Sequence, residues 1–322
     1  MDIPDSLREK LRQMEQTADT AAIVAAAKKI SEGYRRKEAD QKPVICTKET
    51  AAAYAFSRMP ATCAAFCDVF RRLKSECGED YASLLDLGAG TGAASFAAGE
   101  FHSLRKITCL EREKEMISLG KTLFAAGSGA LPGAEWKETD LTGNWKESAE
   151  LVCAGYLLNE ILPEKREQFL KKIWESTEKT LVVIEPGTPD GFLRLADAKK
   201  TLADLGAFLV FPCPEGCRCP VGAGDWCAFS CRVARGKLHK LAKGGDAPFE
   251  DEKYACAVFS RAMLSRESFP RRGKRIVRHP LFTKGGVTLR VCDGRTLSDL
   301  SLGKKDGETY KKARHAEIGD LF

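Results

Sequence analysis

Five cysteines lie within 21 residues of one segment, FPCPEGCRCPVGAGDWCAFSC, which runs from Phe211 to Cys231. Their spacing is C-x3-C-x-C-x7-C-x3-C, which differs from the paired C-x2-C of a zinc ribbon. Thiolates this dense repel one another or oxidise unless a cation holds them, and four thiolates commonly hold an iron–sulfur cluster. The segment therefore predicts a metal site, with zinc and iron–sulfur both open, and with buried free thiols as the alternative.

A glycine-rich stretch, LLDLGAGTGAAS, is the second candidate site. Gly88, Gly90 and Gly92 follow a predicted strand and precede a predicted helix. Glycine permits a tight turn and a close approach of a ligand to the backbone, and the helix start offers free N–H groups. Glu111 ends the next predicted strand, 23 residues after Gly88, where nucleotide-binding sheets place a carboxylate for ribose hydroxyls.

The spacing of these glycines is G-x-G-x-G, not the G-x-G-x-x-G of dinucleotide enzymes. It resembles the first motif of class I S-adenosylmethionine (SAM)-dependent methyltransferases. That resemblance implies that Asp86 and the glycines hold the methionine end of SAM, that Glu111 binds the ribose, and that Asp140 lies beside the adenine. NAD(P) binding and a glycine-rich turn of another α/β fold are the alternatives.

Groups that face a methyl acceptor are expected in AGYLLNE, at the end of the fourth predicted strand of the alternating pattern. The candidates there are Tyr156, Asn159 and Glu160, and the last two could equally cap the following helix. Two signatures of methyl transfer are absent, the Asn/Asp-Pro-Pro-aromatic motif and a Cys-Pro nucleophile of the cytosine-C5 type. The sequence therefore leaves the acceptor open, and loss of methyl transfer is an alternative.

Three regions are predicted along the 322 residues. Residues 1–76 have apolar positions at helical spacing. Residues 77–210 alternate strands with helices, which indicates a doubly wound, mostly parallel α/β sheet. Residues 211–322 are rich in cysteine, glycine and arginine, and KYACAVFSR and VTLRVCDGR could each add a strand to that sheet.

Positive charge is concentrated late in the chain. The net charge is +6, yet residues 232–295 hold 16 Lys/Arg against 6 Asp/Glu. Such a region suggests a polyanionic partner, most often nucleic acid, although a solvated basic surface is the alternative. The candidate phosphate contacts are Arg261, Arg266, Arg271, Arg272, Lys274, Arg275 and Arg278.

The chain start, MDIPDSLREK, has the pattern of neither a signal peptide nor a transit peptide, and no apolar run is long enough to cross a bilayer. We therefore expect a cytoplasmic protein without membrane contact. Cysteines are usually reduced there, so the 13 cysteines favour metal ligands or buried thiols over disulfides. The sequence does not indicate an oligomeric state.

Several tracts together resemble the mitochondrial small-ribosomal-subunit methyltransferase-like family and its bacterial relatives. They are AFSRMPATCAAF, LLDLGAGTGAAS, the cysteine segment, FEDEKYACAVFSR, RIVRHP, VTLRVC and YKKARHAEIGD, and the resemblance covers roughly residues 51–320. The resemblance implies a class I methyltransferase fold and association with the assembling small ribosomal subunit and its rRNA.

The same resemblance implies a [4Fe–4S] cluster. The family's ligand pattern falls on Cys213, Cys219, Cys227 and Cys292. Cys217, Cys231 and Cys256 are then spare, and Glu215 stands where the family often has histidine. Two alternatives remain open at this point, a zinc ion in place of the cluster and a catalytically inactive, RNA-binding assembly factor on the same fold.

Overall fold

The computed structural model of the chain describes residues 3–35, 47–213, 219–222, 224–262 and 273–322. Its helices are α1 Asp5–Thr17, α2 Thr20–Arg35, α3 Lys48–Ser57, α4 Met59–Cys77, α5 Ala93–Phe101, α6 Lys114–Phe124, α7 Arg166–Glu175, α8 Pro189–Asp204, α9 Lys237–Lys243 and α10 Gly307–Ala313. Its strands are β1 Ser83–Leu87, β2 Lys106–Glu111, β3 Glu135–Glu138, β4 Ala149–Gly155, β5 Thr177–Pro186, β6 Phe208–Phe211, β7 Phe229–Ala234, β8 Phe249–Ser260, β9 Arg275–Ile276, β10 Leu281–Phe282, β11 Gly286–Cys292 and β12 Leu297–Gly303.

Helices precede the first strand, as the apolar spacing predicts. α3 begins with a capping box, in which the Thr47 hydroxyl accepts the Thr50 N–H while the Thr50 hydroxyl accepts the Thr47 N–H. α4 ends at Gly78, whose φ of +68° suits a left-handed helix cap. In the described part of the chain, no helix is long and apolar enough to cross a membrane.

The larger sheet has the order β3-β2-β1-β4-β5-β8-β6, and β7 pairs with β8 as well. β1 to β5 are parallel, whereas β8 runs antiparallel to both β5 and β6. The strands are largely buried on both faces, as expected of a parallel sheet covered by helices. This topology confirms the predicted α/β fold class with its doubly wound, mostly parallel sheet.

The order in which successive strands are added reverses between β1 and β4, because β2 and β3 lie on one side of β1 while β4 and β5 lie on the other. In open α/β sheets, ligands bind beyond the carboxyl ends of the strands at such a switch point. The glycine turn after β1 and the segment after β4 both lie at this edge.

The predicted strand VTLRVCDGR does not join the larger sheet, contrary to one expectation from the sequence. It is β11, the centre of a smaller antiparallel sheet with β9, β10 and β12. KYACAVFSR does join the larger sheet, as part of β8. The predicted division into three regions, with boundaries after residues 76 and 210, stays a prediction. β7 and β8 extend the larger sheet past residue 210.

Two buried arginines attach the C-terminal segment to α4. Arg72 pairs with Asp68 on its own helix and donates to the Asp320 carboxylate and the Ile318 carbonyl. Arg275 forms two hydrogen bonds of 2.5 and 2.7 Å to the Glu76 carboxylate. Because buried charges require partners of this kind, the two clusters fix the smaller sheet against the main core.

Candidate functional site

The glycine turn between β1 and α5 adopts a backbone that other residues rarely accept. The φ angle is +62° at Gly88, +57° at Gly90 and +91° at Gly92. A Cβ atom on Gly92 would lie 2.2 Å from the Phe124 ring, so no side chain fits there. A Cβ atom on Gly90 would lie 3.8 Å from its nearest neighbours, which is an ordinary van der Waals contact. The turn is therefore less crowded at Gly90 than at Gly92.

Tyr54 and Met116 supply the atoms nearest to a Cβ position on Gly90. Tyr54 lies on α3 and Met116 on α6, and the two side chains belong to one small apolar cluster. The sequence analysis missed both residues. A lone tyrosine among the alanines of KETAAAYAFS was the available signal, but it does not reveal which turn the helix covers.

Glu111 lies directly against the glycine turn. Its Oε2 accepts the Gly90 N–H at 2.7 Å, and its Oε1 accepts the N–H groups of Arg112 and Glu113 at 2.8 and 2.9 Å. The structure thus brings together the two residues that the sequence assigned to one nucleotide site. Backbone donors fix the orientation of the carboxylate, which can present its remaining lone pairs to hydroxyl groups.

Asp86, at the end of β1, is buried under the same turn. Its Oδ2 accepts the Ser95 N–H at 3.1 Å and the Ser95 hydroxyl at 2.7 Å. Burial, reinforced by the nearby charge of Glu111, raises the pKa of Asp86 to about 7, against the opposing effect of the Ser95 hydrogen bonds. The carboxyl group therefore joins the strand to the first turn of α5.

Asp140 follows β3 at the same edge of the sheet. The Thr139 N–H donates to the Glu111 carbonyl at 2.9 Å, which sets this segment beside the end of β2. The exposed Asp140 carboxylate accepts the N–H and hydroxyl of Thr142, and these hydrogen bonds lower its pKa. Its position beside an adenine stays a prediction.

The acceptor candidates divide into one packed residue and two exposed ones. Tyr156 has a φ of +57°, unusual for a non-glycine residue, and its hydroxyl donates to Glu252 Oε1 at 2.8 Å. Asn159 and Glu160 are exposed, and neither caps a helix, because the N-cap residues of the next two helical segments are Leu162 and Lys165. Partial desolvation and the charge of nearby Glu111 raise the pKa of Glu160 to about 7.

A second candidate site is a partly open cavity of about 30 Å³ between α8 and the smaller sheet. All four cysteines that the family resemblance implies as ligands line it, namely Cys213, Cys219, Cys227 and Cys292. They come from the end of β6, the loop before β7 and the end of β11. Residues distant in the chain thus meet at one place.

Three further residues that the sequence analysis did not assign to this site line the same cavity, namely Lys199, Cys256 and Arg275. The Lys199 ammonium lies 3.7 Å from the Cys213 sulfur. Burial lowers the pKa of Lys199, but the charges of the surrounding thiols, Cys213 foremost, outweigh it and raise that pKa overall. Cys231 lies elsewhere, in the core beside α4, and Cys217 is outside the described residues.

Two of the four implied ligand cysteines in this cavity have raised pKa values, Cys227 and Cys292. Burial, followed by the charge of Cys213, raises the pKa of Cys227 to about 12, and burial also raises the pKa of Cys292. Within the described ranges, no group of three or more His, Cys, Asp or Glu side chains has the geometry of a bound metal ion. The ligand set implied by the resemblance stays a prediction.

The basic residues after the cysteine segment differ in their availability to phosphates. Arg275 was expected to contact phosphate, and this is wrong, because it is buried and paired with Glu76. Arg278 pairs with Asp225, whereas Lys274 is exposed. Arg261 donates to the carbonyls of Thr177 and Trp174. The other three predicted contacts, Arg266, Arg271 and Arg272, lie outside the described residues.

The strand order and the glycine turn beneath the switch point define a chain of the class I methyltransferase fold. Within that class, the chain belongs to the Rsm22 family, described as mitochondrial small ribosomal subunit Rsm22, whose family model matches residues 48–322. This confirms the resemblance drawn from the quoted tracts.

Two kinds of curated relatives match the chain. The human ribosome assembly protein METTL17, mitochondrial, is 26% identical over 261 residues, which is 74% of this chain and 55% of the relative. The Rsm22-cox11 tandem protein 2, mitochondrial, of Schizosaccharomyces pombe is 25% identical over 343 residues, covering 88% of this chain and 44% of the relative. The chain thus spans about half the length of these relatives.

Solved methyltransferase structures are also similar to the chain. Magnesium protoporphyrin IX methyltransferase from Synechocystis, with bound SAM, has a TM-score of 0.43 and 12% identity over 76% of this chain and 98% of its own. The N-methyltransferase NodS from Bradyrhizobium japonicum has a TM-score of 0.40 and 12% identity over 64% and 89%. These overall likenesses are weak, and the fold class follows from the strand topology itself.

Proposed function

We propose that this chain is a SAM-binding, methyltransferase-like factor that takes part in assembly of the small ribosomal subunit. The family match over residues 48–322 carries this proposal. A human relative is named a ribosome assembly protein, which supports the same role here. The relatives are named as mitochondrial, whereas the sequence suggested a cytoplasmic protein, and the compartment of this chain stays a prediction.

The glycine turn supports SAM as the cofactor. When bound, SAM would supply an activated methyl group. The ligand would approach the backbone at Gly90, and Glu111 would accept hydrogen bonds from ribose hydroxyls. Asp86 and Ser95 would shape the methionine end, and Asp140 would lie beside the adenine. Tyr54 would close the site from the side of α3.

The end of β4 supports a second candidate, an assembly factor that binds SAM without transferring its methyl group. The hydroxyl of Tyr156 is already engaged with Glu252 and packed against the core. It would have to leave that carboxylate to reach an acceptor. Transfer of tritium from labelled SAM to small-subunit rRNA or protein would favour the enzyme, whereas SAM binding without transfer would favour the second candidate.

The cysteine-lined cavity supports a metal centre, proposed as a [4Fe–4S] cluster held by Cys213, Cys219, Cys227 and Cys292. The donor set fits, because four thiols from separated segments meet beside a buried lysine. When bound, the cluster would tie the cysteine segment to β11, so folding of the smaller sheet and metal binding would be coupled. The cavity holds roughly one or two water molecules, and this small volume favours zinc as the second candidate.

Contact with rRNA is proposed for the exposed basic side chains of the C-terminal region. Lys274 and Lys284 are exposed there, and lysines bind phosphates without reading base sequence. Ribosomal fractions from cells that produce the tagged chain test the role directly. We expect the chain to sediment with small subunits and their precursors at low salt. Sedimentation only with large subunits, or only as free protein, would contradict the proposed role.

A further inference from the structure

Lys199 is a buried cation whose surroundings are sulfur. It lies in α8 with only 8% of its surface exposed, and its ammonium donates to the Cys213 sulfur at 3.7 Å. Cys213, Cys219, Cys227 and Cys256 line the same cavity as Lys199. A buried ammonium is costly unless an anion accompanies it.

Arg275 does not fill the same role, although it lines the same cavity. Its guanidinium forms two hydrogen bonds to the Glu76 carboxylate and further ones to the carbonyls of Pro212 and Gly319. The charge of Arg275 is therefore balanced by a carboxylate. Lys199 is the cavity-lining cation whose described hydrogen bond is to a thiol.

We propose that Lys199 is the counter-cation of the cysteine centre, a positioning residue that hydrogen-bonds the Cys213 sulfur and offsets the negative charge of the thiolate-held group. This inference rests on the proposed metal centre. Four thiolates around a [4Fe–4S]²⁺ core leave two negative charges, and reduction by one electron leaves three. A nearby cation stabilises the more negative state, and hydrogen bonds to sulfur act in the same direction.

Lys199→Met removes the charge while keeping an unbranched side chain, Lys199→Gln keeps a hydrogen-bond donor, and Lys199→Arg keeps the charge. Lys200→Met is the matched control, because Lys200 is the exposed neighbour on the same helix. The full-length proteins are purified without oxygen. A redox titration of the cluster with dithionite, followed by electron paramagnetic resonance, gives the midpoint potential. The rate of iron release to a chelator measures how well the protein retains the cluster.

Lys199→Met is expected to have a more negative midpoint potential than the wild type and to release iron roughly tenfold faster, as for other partners of metal ligands. Lys199→Gln should fall between Lys199→Met and the wild type, and Lys199→Arg and Lys200→Met should match the wild type. The metal-free Lys199→Met protein should unfold at no lower temperature than metal-free wild type, because a buried charge has been removed.

A Lys199→Met protein with the wild-type potential and wild-type iron retention would overturn the inference and leave the metal centre in place. A Lys199→Arg protein that behaves like Lys199→Met would also overturn it, because charge would not be the property that matters. A wild-type protein that contains neither iron nor sulfide would instead overturn the proposed cluster itself. The failure of the inference and the failure of the proposed function are thus distinguishable.

Discussion

Substitution of alanine at Gly90 and at Gly92 should separate cofactor binding from stability. Both residues have positive φ, so each alanine costs about 1–2 kcal/mol of conformational strain. At Gly92 the new methyl group would also lie 2.2 Å from the Phe124 ring, and such overpacking adds about 1–3 kcal/mol. A methyl group on residue 90 would lie 3.8 Å from its nearest neighbours, so no overpacking cost arises there.

Gly92→Ala should therefore lower the free energy of unfolding by about 2–5 kcal/mol, and Gly90→Ala by no more than about 1–2 kcal/mol. Loss of freedom in the unfolded chain would reduce both costs by about 0.4–1 kcal/mol. Equilibrium unfolding in urea, followed by circular dichroism, measures the difference. The larger value is a substantial part of the stability of an ordinary domain.

The affinity for SAM, unlike the free energy of unfolding, should depend strongly on Gly90. The methyl group of Gly90→Ala would occupy the space through which a ligand approaches the backbone, so the dissociation constant for SAM should rise at least about tenfold, or about 1.4 kcal/mol. Isothermal titration calorimetry on the folded variant measures it. Wild-type SAM affinity in Gly90→Ala, or equal destabilisation by the two alanines, would refute the reasoning.

Three further predictions concern the metal, the buried carboxyl group and the RNA. Cys292→Ser should lose metal and unfold at a lower temperature, while Cys231→Ser, whose side chain lies in the core beside α4, should keep its metal. Full metal occupancy in Cys292→Ser would count against the ligand set. Folding raises the pKa of Asp86 from 3.8 to about 7, so the unfolded state loses the Asp86 proton at a lower pH than the folded state does. The free energy of unfolding should therefore fall as pH rises from about 4 to 7. Asp86→Asn should therefore gain stability relative to wild type across that range in urea titrations, and a constant difference would show the pKa assignment to be wrong. RNA binding should weaken steeply with salt. Replacing Lys274 and Lys284 by glutamate should reduce the slope of log affinity against log salt by roughly one unit for each phosphate that the variant no longer binds. Salt-insensitive binding would exclude phosphate contacts.

The sequence was most informative where function depends on neighbours in the chain. A strand, three closely spaced glycines and a helix are local features, so the turn around Gly90 was predictable, and Glu111 followed from the regular length of a βα unit. The alternation of predicted strands with predicted helices likewise indicated the parallel sheet. It could not show that β11 belongs to a second sheet, because the strand pattern of a segment does not specify its pairing partner.

Residues brought in from distant segments were not predictable. Tyr54 faces the glycine turn because α3 packs beside α6, and nothing in its own sequence indicates that contact. In the sequence, Lys199 is one of many lysines in predicted helices, and only the packing of α8 brings it against Cys213. Arg275 belongs to a basic run in the sequence, yet its position opposite Glu76 buries it. Spacing cannot encode these tertiary contacts.

Metal and sulfide analysis of the protein purified without oxygen tests the central claim most directly, namely that a methyltransferase-like core of this family holds a cluster through cysteines of distant segments. The account predicts a broad absorption band near ~400 nm, with about four irons and about four sulfides per chain. A colourless protein that contains one zinc ion, or no metal, would contradict the cluster.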